Sequence, residues 1–221
     1  MTGEYLPVKI LTLQLIPNLD AGLLRELGVD VRNRSVGLIS TDCDDVTYMA
    51  LDEATKASNV EVVYAKSLYA GAANASTALA GEVIGILAGP TPSEVISGLR
   101  SAESFLNSGV GFQTANEAGD VVYLAHCVSR TGSYLSAAAG IAVGEALAYL
   151  IAPPVEAIAG LDAALKAADV TLCTFYGPPT ETNFGGGLLT GTQSACRAAC
   201  DAFGEAVKLV AKRPNALGER K

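Results

Sequence analysis

The feature that most constrains this chain is a repeat: it states nearly the same pattern twice, about 110 residues apart. Residues 51–60, LDEATKASNV, and 161–170, LDAALKAADV, agree at six positions of ten: Leu, Asp, Ala, Lys, Ala and Val. Ala-rich helices coincide by chance, but here the flanks agree too. Each helical run ends at Asn59 or Asp169 and gives way to a β-prone stretch, VEVVYAK or VTLCTFY. A Gly-rich loop follows, then an apolar strand, EVIGILAG in one copy and GGGLLTG in the other. Amphipathic helices starting at Thr91 and Thr192 close the copies, and both hydroxyls suit an N-cap. The strands VKILTLQLI and VVYLAHCVS open them. Each copy thus reads as strand, helix, strand, loop, strand, helix behind an opening strand, a duplicated α+β domain. Glycines in NSGVGFQTAN, residues 107–116, break the helical period, so the domains are expected at 1–112 and 113–221. No long linker separates them, which predicts tight packing, while the charged tail KRPNALGERK should fray.

Composition narrows the partners. Of 221 residues 50% are hydrophobic and only 17% charged, so much apolar surface must be hidden in wide contacts between copies. A net charge of -8 leaves no basic stripe for nucleic acid. Glu4, Pro7 and Lys9 interrupt the apolar N-terminal stretch, which is neither a signal segment nor a membrane span, so a cytoplasmic protein is expected. Five cysteines, an odd number, read as reduced core-filling residues.

The segment TDCDDVTYMALDEATKASNV, residues 41–60, sets Asp42, Asp44 and Asp45 around Cys43 before a helical run. Acids at a helix start stabilise it by roughly 0.3–1 kcal/mol, which accounts for one or two of them. A third gains little and is repelled by its neighbours, so a further use stays open beside the capping role. A metal-dependent hydrolase built on these aspartates and His126 is a remote reading, because one histidine makes a poor metal set. Cys196 and Cys200, four apart on one helical face, have no matching second pair and read as packing residues. FGGGLLTG lacks the Gly-Lys-Ser/Thr ending of a phosphate loop. With no nucleophile, base and orienter in evidence, neither catalysis nor a cofactor or metal is expected.

Two matches to D-x-A-x-K-A-x-[N/D]-V, at Asp52–Val60 and Asp162–Val170, resemble the helix-to-strand signature of bacterial microcompartment (BMC) shell domains. RSVGLISTDCDDVTYMALDEATKA, SLYAGAANAST, HCVSRTGSYLS, LIAPPVEA and PPTETNF extend the resemblance, through essentially the whole chain, to the ethanolamine-utilization shell proteins. That resemblance implies an α+β fold of two tandem circularly permuted BMC (ferredoxin-like) domains. It implies three chains in a homotrimeric pseudohexamer, tiling with other shell proteins around a microcompartment in the cytoplasm. It also implies a non-enzymatic gate, with a central pore that opens and closes, wide enough when open for a corrinoid, and small subunit pores for metabolites such as ethanolamine.

The resemblance places a small-pore ligand site at Asp44, Asp45, Glu82, Phe112, Thr182 and Asn183, with Asp45 foremost for an ammonium group and Asp44 behind it. Each has a plainer reading: Glu82 as a solvated residue at a strand start, Phe112 as core, Thr182 and Asn183 as an ordinary turn. A pore or gating loop is expected at Phe184, Gly185, Gly186 and Gly187, since consecutive glycines refold easily. SRTGSYLS, Ser129 to Ser136, is expected to be structural. The competing assignment is a soluble duplicated-domain protein that senses a small amine through the same acids.

Overall fold

The structure, a computed structural model, describes residues 2–68, 79, 81–178, 180 and 182–217. The first half runs β1 (Ile10–Ile16), α1 (Ala21–Glu26), β2 (Ser35–Thr41), α2 (Asp44–Ala57), β3 (Glu61–Ser67), β4 (Val83–Gly89) and α3 (Pro92–Leu106). The second runs β5 (Gln113–Thr114), β6 (Val122–Val128), α4 (Ser133–Ala139), β7 (Ala146–Ala152), α5 (Pro154–Ala167), β8 (Val170–Tyr176), β9 (Gly185–Gly191) and α6 (Gln193–Lys212). The expected duplicated α+β order is present, with α1 and α4 as short helices the repeat pattern did not reveal. Most of the loop segment SLYAGAANAST, residues 69–77, and the last four residues of the tail lie outside the described residues.

The two sheets repeat each other in detail. One has the order β1-β2-β4-β3, the other β5-β6-β7-β9-β8, and every neighbouring pair is antiparallel. β2 pairs with β4 from Ser35↔Gly89 to Thr41↔Val83, as β7 does with β9 from Ala146↔Gly191 to Ala152↔Gly185. Even the irregularity recurs, between Val62 and Tyr64 of β3 and between Leu172 and Thr174 of β8. The recurring Leu-Asp dipeptide has a packing reason: Leu51 and Leu161 lie over glycines of the central strand. A Cβ on Gly85 would stand 2.7 Å from Leu51 Cδ1, and one on Gly187 3.6 Å from Leu161 Cδ2.

Two compact units result. One holds Pro7–Val110 with Thr131–Ala138, the other Met1–Leu6, Gly111–Arg130 and Ala139–Lys221. Each half therefore lends a short segment to the unit built mainly by the other. Residues before Pro7 pair with the strand β5 region, through Gly3 N to Thr114 O (2.8 Å) and Leu6 N to Phe112 O (2.8 Å). In the first unit α4 docks by its N-terminus on Asp52 of α2, whose fully buried carboxylate accepts from Gly132 N (2.7 Å) and Leu135 N (2.8 Å). Two backbone donors that a helix start leaves orphaned are thereby satisfied. Lys56 lies 3.4 Å away and balances the charge. Gly132 is required there, since a Cβ would fall 2.2 Å from Thr55 Oγ1 and 2.6 Å from Asp52 O. That explains the SRTGSYLS motif as architecture.

In the second unit, the core gathers Ala148, Leu150, Leu161, Leu189, Cys196, Cys200 and Phe203 between sheet and helices. Cys196 and Cys200 are buried packing residues, and burial pushes both thiols up, Cys196 to about 11.

Candidate functional site

The first unit concentrates acids where β2 turns into α2. Thr41 ends the strand, Cys43 is the helix N-cap in extended conformation, and its side chain makes no capping bond. Hydroxyls tie the junction instead: Cys43 N donates to Thr41 Oγ1 (3.1 Å), and Thr47 Oγ1 donates to Cys43 O (2.8 Å). Asp42 is structural, its carboxylate accepting from Lys9 N at 2.7 Å and so anchoring the start of β1. Asp44 and Asp45, in the first turn of α2, are both buried, unlike acids that merely decorate a helix start.

Asp44 is held at both oxygens. Its Oδ1 accepts from Asp45 N (2.8 Å), and its Oδ2 accepts from the hydroxyl of Ser67, the last residue of β3 (2.6 Å). Ser67 in turn meets Tyr48 Oη at 2.6 Å. Glu82 reaches the same turn from the strand side, its N–H donating to Thr41 O at 2.8 Å. Gly81 makes the approach possible, because a Cβ there would fall 1.9 Å from Thr41 O. Among the described residues no donor is bonded to the Glu82 carboxylate. Burial first, then the charges of Asp44 and Asp42, hold its pKa above the ordinary glutamate value of 4.5. Burial, followed by Asp45, pushes the Cys43 thiol up well above its usual range. Four carboxylates thus share one half-buried turn, a field that favours a small cation.

Phe112, Thr182, Asn183 and Phe184 lie in the second unit. The Phe112 and Phe184 rings meet edge to face, 5.5 Å between centroids. Thr180 and Phe184 close the turn between them (Thr180 N to Phe184 O, 3.0 Å), and Asn183 sits at φ 64°, the one non-glycine with positive φ among the described residues. Glu181 and Pro179 of PPTETNF lie outside the described residues.

The glycine expectation requires correction. Gly185, Gly186 and Gly187 are not a loop; they are the buried first residues of β9, paired with Ala152, Ile151 and Leu150 of β7. Any Cβ on Gly186 would fall 1.9 Å from Leu150 O. Glycine is there for close backbone approach, and a bulky replacement at that position would break strand pairing instead of reporting on a gate.

Ser67, Tyr48 and Gly81 were missed by sequence reasoning. Nothing local marks them, since Ser67 and Asp44 are 23 residues apart and meet only when β3 lies beside α2. Among the described residues no group of three His, Cys, Asp or Glu side chains is arranged to hold a metal ion. No helix among them is long and apolar enough to cross a membrane.

With this geometry established, comparison with known proteins is specific. A BMC domain model matches residues 35–117. The chain is 62% identical to the bacterial microcompartment shell protein EutL of Clostridium perfringens, over 97% of this chain and 99% of that protein. It is 53% identical to EutL of Escherichia coli K12, over 93% and 94% respectively. The crystal structure of ethanolamine utilization protein EutL from Leptotrichia buccalis superposes with a TM-score of 0.96 at 62% identity, covering 98% of this chain and 100% of that one.

Proposed function

The chain belongs to the EutL family of bacterial microcompartment shell proteins, structural components of the ethanolamine-utilization shell, and from that membership we propose that it is a gated tile passing small polar metabolites. Residues 1–112 and 113–221 are its two BMC domains, and three copies join with other shell proteins. High apolar content with little charge supports such edge-to-edge assembly. The single observation carrying the metabolite reading is the set of buried or half-buried acids Asp44, Asp45 and Glu82 crowded at one turn.

An ammonium such as that of ethanolamine relieves their mutual repulsion through short charge-assisted hydrogen bonds. Asp45 is the foremost contact and Asp44 stands behind it. The Thr182–Phe184 turn is the segment proposed to move in gating, with the glycines of β9 as its fixed root, and a wider central opening would serve bulkier cargo such as a corrinoid. Asp45→Ala should weaken ethanolamine binding by roughly 10–100-fold, the worth of a hydrogen bond to a charged group, while the assembly persists. Calorimetric titration measures this, and an unchanged affinity overturns the pocket assignment.

A further inference from the structure

The acid turn contains a relay with a fixed direction. Ser67 has one hydroxyl hydrogen and spends it on Asp44 Oδ2 at 2.6 Å, so in the 2.6 Å contact between Tyr48 and Ser67 the tyrosine must be the donor. Tyr48 lies one turn beyond Asp44 on α2, and its ring is backed by Tyr134 of α4, 6.2 Å between centroids. The order is therefore Tyr134 against Tyr48, Tyr48 to Ser67, Ser67 to Asp44, all within one unit.

The fold does not need this relay. In the second half the same strands and helices form with Pro154 where the first has Asp44, Ile158 where it has Tyr48 and Gly177 where it has Ser67. All three members differ together while register, strand order and bulge are kept. A set absent from an intact copy of the scaffold serves something other than the scaffold.

We propose that Tyr48 and Ser67 are positioning residues that hold the Asp44 carboxylate in place for a small primary ammonium ligand, an inference that rests on the reading of Asp44, Asp45 and Glu82 as the ammonium site. Crowded carboxylates repel, and an unheld Asp44 would swing away from Asp45 and Glu82 until a cation arrived. Two hydrogen bonds to Asp44 remove that freedom beforehand, so binding does not have to supply the ordering.

The test uses the full-length assembled protein, with ethanolamine as probe and ethylene glycol as its uncharged counterpart, titrated calorimetrically. Ser67→Ala should weaken ethanolamine binding about tenfold or more, the scale of a hydrogen bond to a charged group, with ethylene glycol unaffected. Ser67→Thr, which keeps the hydroxyl, should stay within about threefold of the parent, and Tyr48→Phe should fall between the two. Rescue by threonine is the readout a purely structural serine would not give, and Tyr48→Phe still decides the matter if Ser67→Ala fails to fold. Should the parent bind ethanolamine and lose affinity on Asp45→Ala, yet Ser67→Ala and Tyr48→Phe bind as tightly as the parent, the relay is wrong and the ammonium site stands. A parent that binds no ethanolamine, or an Asp45→Ala protein that binds it undiminished, overturns both.

Discussion

The two halves share a scaffold and part company where the second strand enters the long helix. In the first, β2 passes through Asp42 and Cys43 into Asp44 and Asp45; in the second, β7 passes through Pro153 into Pro154 and Val155. Glu82, one residue before β4, corresponds to Phe184 before β9. One copy collects carboxylates at this turn and the other collects apolar groups and rigid prolines, whose missing N–H costs nothing at a helix start. Even the shared aspartate diverges. Asp52 is buried and caps α4, whereas Asp162 is 61% exposed and pairs only with Lys166 among the bonds described, at 2.6 Å. Duplication leaves one copy of each position to keep the architecture and frees the other for chemistry, so identity within a repeat does not imply identity of role.

The largest expected effect tests the helix packing behind that divergence. Fully buried Phe203 lies against Gly160, where a Cβ would stand 2.6 Å from the ring; the equivalent residues in the first half are Ala102 and Ala50. Phe203→Ala should cost about 3–5 kcal/mol, because a residue as small as Gly160 cannot refill the void. Denaturant midpoints at fixed protein concentration measure it, and a loss below about 1 kcal/mol would mean that the two helix pairs are packed alike after all.

Next, Asp52→Ala should destabilise by about 2–4 kcal/mol, leaving two buried backbone donors without their acceptor. If that substitution proves as mild as its exposed counterpart, the asymmetry between the repeated aspartates is not real.

Glu82→Gln sharpens the comparison through pH. A carboxyl whose folded pKa lies above its ordinary 4.5 favours the folded state below that value, and the advantage is lost as pH rises through the folded pKa. The glutamine variant should therefore melt higher than the parent at neutral pH, and the difference should vanish toward pH about 4. A variant that melts lower at neutral pH would show that burial and the neighbouring aspartates do not strain this carboxyl. The smallest effect is expected for Asp162→Ala, within about 0.5 kcal/mol, as for exposed pairs generally.

Much of the fold could be read directly. Repeated periodicities of 2 and 3.6 are local properties, so the opening strands, the helices carrying Leu51 and Leu161, and the strands before Gly89 and Gly191 all announced themselves. Short α1 and α4 escaped because six or seven residues carry too little period to detect. GGGLLTG was correctly expected as a strand, yet its glycines also suggested a loop. Composition cannot distinguish glycine chosen for freedom from glycine chosen because Leu150 O leaves no room for a Cβ.

By itself the sequence determined the duplication, the α+β class and the presence of surplus acids ahead of α2, all of which depend on neighbours along the chain. Tertiary structure alone decided that Asp42 anchors Lys9 while Asp44 is held by Ser67, and that Asp52 caps a helix 80 residues away. A hydrogen bond acts over about 3 Å of space whatever the separation in sequence, so its partners become known only once the strands and helices have brought them together.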